Sequence, residues 1–228
     1  MIFHGQKRTL SSNFTLDIVI ESNEGGVMKF SLIYEGELKS NGNPQHKQNI
    51  RECFRAQLKV LWQSDSLSGL FDYATGSKEA SLTSMGNVRI DFPANPEFRD
   101  GEGWCVNRRG SIFLPIVCKS LRTTAEIDIV WYRSERPGDF LPQGDIDNRL
   151  KTLFDAFQVP DENQLQIATV ESSASDPYLT VLEDDALISR INVETKQLLK
   201  PHSDNDVLLL IDVNTKVSAV TFENINLI

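Results

Sequence analysis

The chain has 228 residues, 40% of them hydrophobic and 24% charged, with a formal net charge of −9. Such a length and composition suit one large folded domain with its own core, and exclude a disordered or fibrous chain. No apolar run approaches the ~20 residues of a membrane-spanning helix, and MIFHGQKRTLSS lacks the apolar stretch of a signal peptide.

The three cysteines, Cys53, Cys105 and Cys118, are widely spaced with no CxxC pair. They read as reduced thiols of a cytoplasmic protein, not as a disulfide frame or a zinc site. His4, His46 and His202 fall near termini or loops, which argues against histidine-centred chemistry. The acid is unevenly spread: residues 145–228 carry six Lys/Arg against fifteen Asp/Glu, and the rest of the chain is balanced. That balance is unusual for a nucleic-acid binder, although phosphates respond to the local field and carboxylates in a cluster can be neutralised by cations.

In chain order, Phe14 to Glu21 and Val27 to Tyr34 mix β-branched and polar residues and predict two strands. Beyond the loop Ser40 to Pro44, residues 46–63 predict a helix, because Ile50, Phe54, Leu58 and Leu61 form one apolar stripe. Lys47, Arg51, Arg55 and Lys59 recur every fourth residue beside it and form a candidate phosphate-tracking row, whose plain alternative is a solvated helix face. Residues 64–110 read as a long excursion with one strand-like piece at Val88 to Phe92. Strands follow at Ser111 to Cys118 and at Ala125 to Tyr132, the latter with Glu126 and Asp128 on a wet face. Arg108, Arg109, Lys119 and Arg122 flank the first of these as a second basic group. Gly144 to Phe157 predicts a loop entering a helix with Asp147 as its N-cap. Residues 158–180 read as a second insertion, before strands at Leu187 to Lys196 and Val207 to Val213. The expected fold class is α+β, a mixed β-sheet with two main helices and two loop insertions, in a single domain over residues 1–228.

The densest group of chemistry-bearing residues is Asp145-x-Asp147-Asn148-x-x-Lys151, followed by Glu183-Asp184-Asp185 ahead of a strand. Two carboxylates at i and i+2 diverge by about 200° on a helix, so they converge only if Asp145 stays in the loop while Asp147 begins the helix. Oxygen ligands of this kind suit Mg²⁺, and a helix N-terminus favours a phosphate. The plain alternative is a capping Asp147 that forms an exposed i,i+4 ion pair with Lys151.

DIDNRLKTLFDAF followed by EDDALI resembles the signature of the RusA-like Holliday-junction resolvases, dimeric Mg²⁺-dependent endonucleases that cut four-way DNA junctions. The resemblance covers Asp145 to Phe157 and Glu183 to about Ile188. It implies that Asp145, Asp147 and Asp185 are metal-binding catalytic residues and that Lys151 is the catalytic lysine. Asn148, Asp155 and Asp184 match further motif positions with a supporting role. The implied cofactor is Mg²⁺, and the implied partners are branched DNA and a second copy of the chain. Other activities compatible with the same motif are cleavage of flap or duplex DNA, and a module that binds DNA or protein without cutting.

Overall fold

A computed structural model describes residues 27–64, 67, 104–136, 146–167, 170–173 and 176–219. The expected strands at Phe14 to Glu21 and Val88 to Phe92 lie outside them. The fold is α+β, as its sequence pattern predicts, with the strands divided between two mixed sheets.

The larger sheet contains β1 (Val27–Glu37), β4 (Thr123–Arg133), β6 (Ile188–Gln197) and β7 (Asp206–Val217), in the order β1-β7-β4-β6. β7 is antiparallel to both of its neighbours, while β4 and β6 run parallel. Period-two patterning fixes the register. Phe30 and Leu32 of β1, Ile127, Ile129 and Trp131 of β4, and Leu209 and Ile211 of β7 all point into one buried layer. A one-residue slip would turn each of these rows out to water. The opposite face is wet: Glu126 meets Lys216 and Arg190, and Asp128 takes a two-point contact from Arg190 at 3.0 and 2.8 Å.

The smaller sheet has β2 (Val106–Arg108), β3 (Ser111–Val117) and β5 (Tyr178–Leu182) in that order, with β3 and β5 parallel. Every residue of β5 is buried. Parallel strands covered on both faces lose alternation and read as a continuous apolar run, which is why YLTVL is illegible as a strand inside an insertion.

Helix α1 (Pro44–Trp62) starts where Asn43 accepts the His46 N–H at 2.8 Å, with Pro44 in the first turn. Its stripe of Ile50, Phe54, Leu58 and Leu61 is buried against the core. The Gln57 amide does a second job, pairing with both the N–H and the C=O of Ile33 at 2.9 and 2.7 Å and so occupying backbone groups on the free side of β1. Helix α2 (Ile146–Phe157) packs on α1 through the edge-on pair Phe54–Phe157, ring centres 4.9 Å apart. A short α3 (Glu162–Ile167) follows in the stretch expected to be loop. The approach of α1 to α2 is close at Gly42, whose N–H donates to Thr152 Oγ1 and where a Cβ would sit 2.7 Å from the Thr152 methyl.

The basic row on α1 requires a correction. Arg51 is only 2% exposed, and it donates to Gln48 Oε1 at 2.7 Å, the Asp155 carbonyl at 2.7 Å and Gln164 Oε1 at 3.1 Å. Lys47 is paired with Asp155 at 2.6 Å. Arg55 lies over the Tyr178 ring, 4.4 Å from its centre, and Lys59 alone of the four is exposed. These cations face α2, α3 and β5 because those elements supply carbonyl, amide and aromatic partners. Lys47, Arg51 and Arg55 are internal glue and not a track for phosphates, while Lys59 lies in solvent 4.0 Å from Asp176.

Replacing Arg51 with Ala therefore acts on stability. It leaves the Asp155 carbonyl and two buried glutamine amides short of a donor, at an expected cost of about 2–4 kcal/mol. Denaturant melts of Arg51→Ala check this. A folded, wild-type-stable variant with weakened DNA affinity would restore the phosphate-contact role.

Candidate active site

α2 forms because its apolar residues recur at helical spacing: Leu153, Phe154 and Phe157 are buried together with Arg149, Thr152 and Ala156. Burial of this face leaves Asp147 and Lys151 on the exposed side, one turn apart. Asp147 is the second residue of the helix and not its N-cap, so it lies in the first turn, where backbone N–H groups lack helical partners. Asp145 lies outside the described residues.

Spacing alone would let Asp147 and Lys151 neutralise each other, but they do not. Neither side chain makes a hydrogen bond or ion pair among the described residues. Asn148 contributes its carbonyl to Thr152 Oγ1 at 3.2 Å. Asp155, on the inward side two turns from Asp147, is committed to Lys47 and to Gln158 Nε2 at 3.2 Å. It belongs to the interface between α1 and α2 rather than to a catalytic group.

The acidic triplet closes β5. Gln158 lies beside Leu182 in a parallel bridge, and the Val159 N–H donates to the Leu182 carbonyl at 3.1 Å, which joins the end of α2 to the end of β5. The next residues divide the work. Glu183 Oε2 accepts the Lys119 N–H at 2.8 Å. Asp184 accepts the Ala186 N–H at 2.9 Å and lies 3.4 Å from Lys119 Nζ, capping a single 3₁₀ turn over Asp185–Leu187. That backbone hydrogen bond, helped by Lys119, holds its carboxyl below the usual aspartate range. Asp185 is anchored only by its main chain, its N–H donating to Gln158 Oε1 at 3.1 Å, and its carboxylate projects into solvent.

The two free carboxylates thus belong to opposite ends of one helix. Asp147 is in the first turn of α2, while Asp185 is held from Gln158, eleven residues and roughly 16 Å of helix rise further on. Among the described residues, no group of three or more His, Cys, Asp or Glu is placed to hold a metal ion. The donor chemistry nevertheless suits a hard cation, since Asp147 and Asp185 offer unpaired carboxylate oxygens and such ions take one or two of these with water or phosphate.

One contributor escaped the sequence pattern, and one member of the second basic group takes a different role. Gln158 positions the Asp185 backbone, and nothing in its neighbours marks it for that role. Lys119 joins the acidic turn from the end of β3, with its exposed neighbour Arg122 completing the tight turn into β4. Arg108 and Arg109 are exposed as well, at the opposite end of β3. No helix among the described residues is long and apolar enough to cross a membrane. No protein-family profile, curated protein or solved structure matches the chain.

The adjacent aspartates should separate cleanly on mutation. Asp184→Ala removes a cap and should cost about 1 kcal/mol, whereas Asp185→Ala should change stability by less than about 0.5 kcal/mol. Thermal melts of the two variants check the difference, and equal losses would show that Asp185 is also structural.

Proposed function

We propose that the chain is a RusA-like, Mg²⁺-dependent endonuclease of branched DNA that works in the cytoplasm. The observation that carries this reading is that Asp147 and Lys151 are unpaired among the described residues. An acid and a base one turn apart on an exposed helix face normally gain a few tenths of a kcal/mol by pairing. Here both are left available at the end of a helix that attracts anions. The unengaged carboxylate of Asp185, beside a fully engaged Asp184, supports the same reading.

In this proposal Asp145 and Asp147 would hold Mg²⁺, which would polarise the phosphodiester and lower the pKa of an attacking water, while Asp185, held from the far end of α2, would not share that ion. Lys151 opposes the negative charge that grows on the phosphate oxygens during attack. The helix N-terminus orients the phosphate, while Lys119 and Arg122 replace the α1 row as the contacts that give affinity without base specificity. Asp184 shapes the turn that carries Asp185, and Asp155 holds α2 in place through Lys47. The three cysteines, none of them in a disulfide, suit a reducing compartment.

Cleavage assays with Mg²⁺ on four-way junction, flap and duplex substrates test this directly. Junction cleavage should be abolished by EDTA and lowered at least about 100-fold by Asp147→Asn or Lys151→Ala. Asp184→Asn should retain activity, because Asn caps nearly as well as Asp. A folded wild type that binds these substrates but cuts none would establish the binding-module alternative, and preferential cutting of flap or duplex would reassign the substrate.

A further inference from the structure

Arg149 lies in the first half of α2 and is completely buried, the only buried residue between Ile146 and Lys151. Asp147 stands two residues before it and Lys151 two after, so each is turned about 200° from it around the helix. The guanidinium therefore holds the helix from directly behind the two exposed side chains. Its partner is Glu135, which follows β4 and whose Oε1 lies 3.4 Å from Arg149 Nη2. Arg133, the last residue of β4, is buried as well and reaches the next position along, donating from Nη2 to the Arg136 carbonyl at 3.3 Å.

This group is poorly satisfied. Nε and Nη1 of Arg149, Nε and Nη1 of Arg133 and Oε2 of Glu135 are buried with no hydrogen-bond partner among the described residues. Two buried cations stand against one carboxylate, and a single contact of 3.4 Å joins it to Arg149. Desolvation of such a pair often exceeds its Coulombic gain, and apolar residues of similar volume then give an equal or higher stability. Arg51 is the contrast, since both of its terminal nitrogens find acceptors. The Arg149–Glu135 pair is a weak support of the fold. What it supplies is direction: an ion pair between two fixed partners selects one rotation of the helix, whereas apolar contacts are non-directional.

We propose that Arg149 and Glu135 are positioning residues: by joining the start of α2 to the end of β4 they fix the rotation of its first turn, and with it the direction in which Asp147 and Lys151 project. This role rests on the reading of Asp147 and Lys151 as catalytic residues. Arg51 and Lys47 hold the other end of the helix through Asp155. Without Arg149, the first turn would be restrained by the partly buried Ile146 and Leu150, which pack on the core. Reacting and metal-binding groups lose much of their effect when displaced by an ångström, and the residues that orient them commonly contribute about 10–100-fold.

Replacing both partners, Glu135→Met together with Arg149→Met, separates position from stability. The double variant should unfold in denaturant at or above the wild-type midpoint. Arg149→Met alone should unfold earlier, because it leaves the Glu135 carboxylate buried without its cation. Despite its stability, the double variant should show faster hydrogen exchange at the Leu150, Lys151 and Thr152 amides, which bond back to the first turn. Its Mg²⁺ dissociation constant, measured by calorimetry, should rise about 10-fold or more, and its kcat for junction cleavage should fall as much with KM unchanged. Wild-type Mg²⁺ affinity and kcat in the folded double variant would overturn the proposal, whatever its exchange. So would a double variant that fails to fold, since the pair would then be a support of the fold itself. A wild type that neither binds Mg²⁺ nor cuts would reject the nuclease reading instead, and the exchange comparison alone would then decide whether the pair anchors the first turn.

Discussion

The buried guanidinium of Arg51 is the contact on which the arrangement of helices depends. From α1 it reaches the Asp155 carbonyl near the end of α2 and the Gln164 amide of α3, while Gln48 fills in on its own helix. Burial lowers its pKa to about 10, so it remains charged at neutral pH. Both terminal nitrogens of Arg51 find acceptors while its buried Nε does not, and a helix that supplied no acceptor here would leave the cation uncompensated. The rotation of α2 about its axis is set by this contact and by the Lys47–Asp155 pair 2.6 Å long. Turned away from this position, the helix would strand both cations. Held in it, the helix presents Asp147 and Lys151 outward.

The same logic explains why adjacent acidic residues have different roles. Glu183 satisfies the Lys119 N–H after β3 and Asp184 the Ala186 N–H in the turn after β5, which leaves Asp185 held only by its main chain. A turn built from carboxylates is stable at neutral pH because these acceptors meet N–H donors and Lys119. What distinguishes Asp185 from Asp184 is therefore not residue type but which of them the turn has already used.

This division marks the limit of what can be read in the sequence. The helix stripes of α1 and α2 and the alternation of β1, β4 and β7 are legible because each element has one buried face, and a buried face imposes a period. β5 is buried throughout and α3 is too short for a stripe, so neither shows a period, and both fall in a stretch read as loop. The α1 cations misled for a related reason. Four basic residues at helical spacing look like a solvated or phosphate-facing row, and only the partners on α2, α3 and β5 show that the row points inward. At the motif, residue types were legible, but the separation of Asp155 and Asp184 from Asp147, Lys151 and Asp185 depends on contacts from distant parts of the chain.

The acidic balance of the last third weighs less against a DNA partner once the carboxylates are placed. Asp155 is consumed by Lys47 and Gln158, Asp184 by Ala186 and Lys119, and Asp206 by the Ser203 hydroxyl and the His202 and Ser203 N–H groups, which hold its carboxyl below the ordinary aspartate range. Hydrogen-bonded carboxylates of this kind are part of the fold, and their charge is offset locally by the donors that bind them. The carboxylates left without such partners include Asp147 and Asp185, the positions where a divalent cation would be most useful. A polyanion at the start of α2 meets Lys151 beside Asp147, and one at the acidic turn meets Lys119 and Arg122 beside Asp185. Net charge describes the field at a distance, whereas phosphate binding is decided within about one Debye length of the contact, roughly 8–10 Å at ordinary salt. On that scale the side chains at each of these two places govern the encounter, and the formal charge of −9 does not.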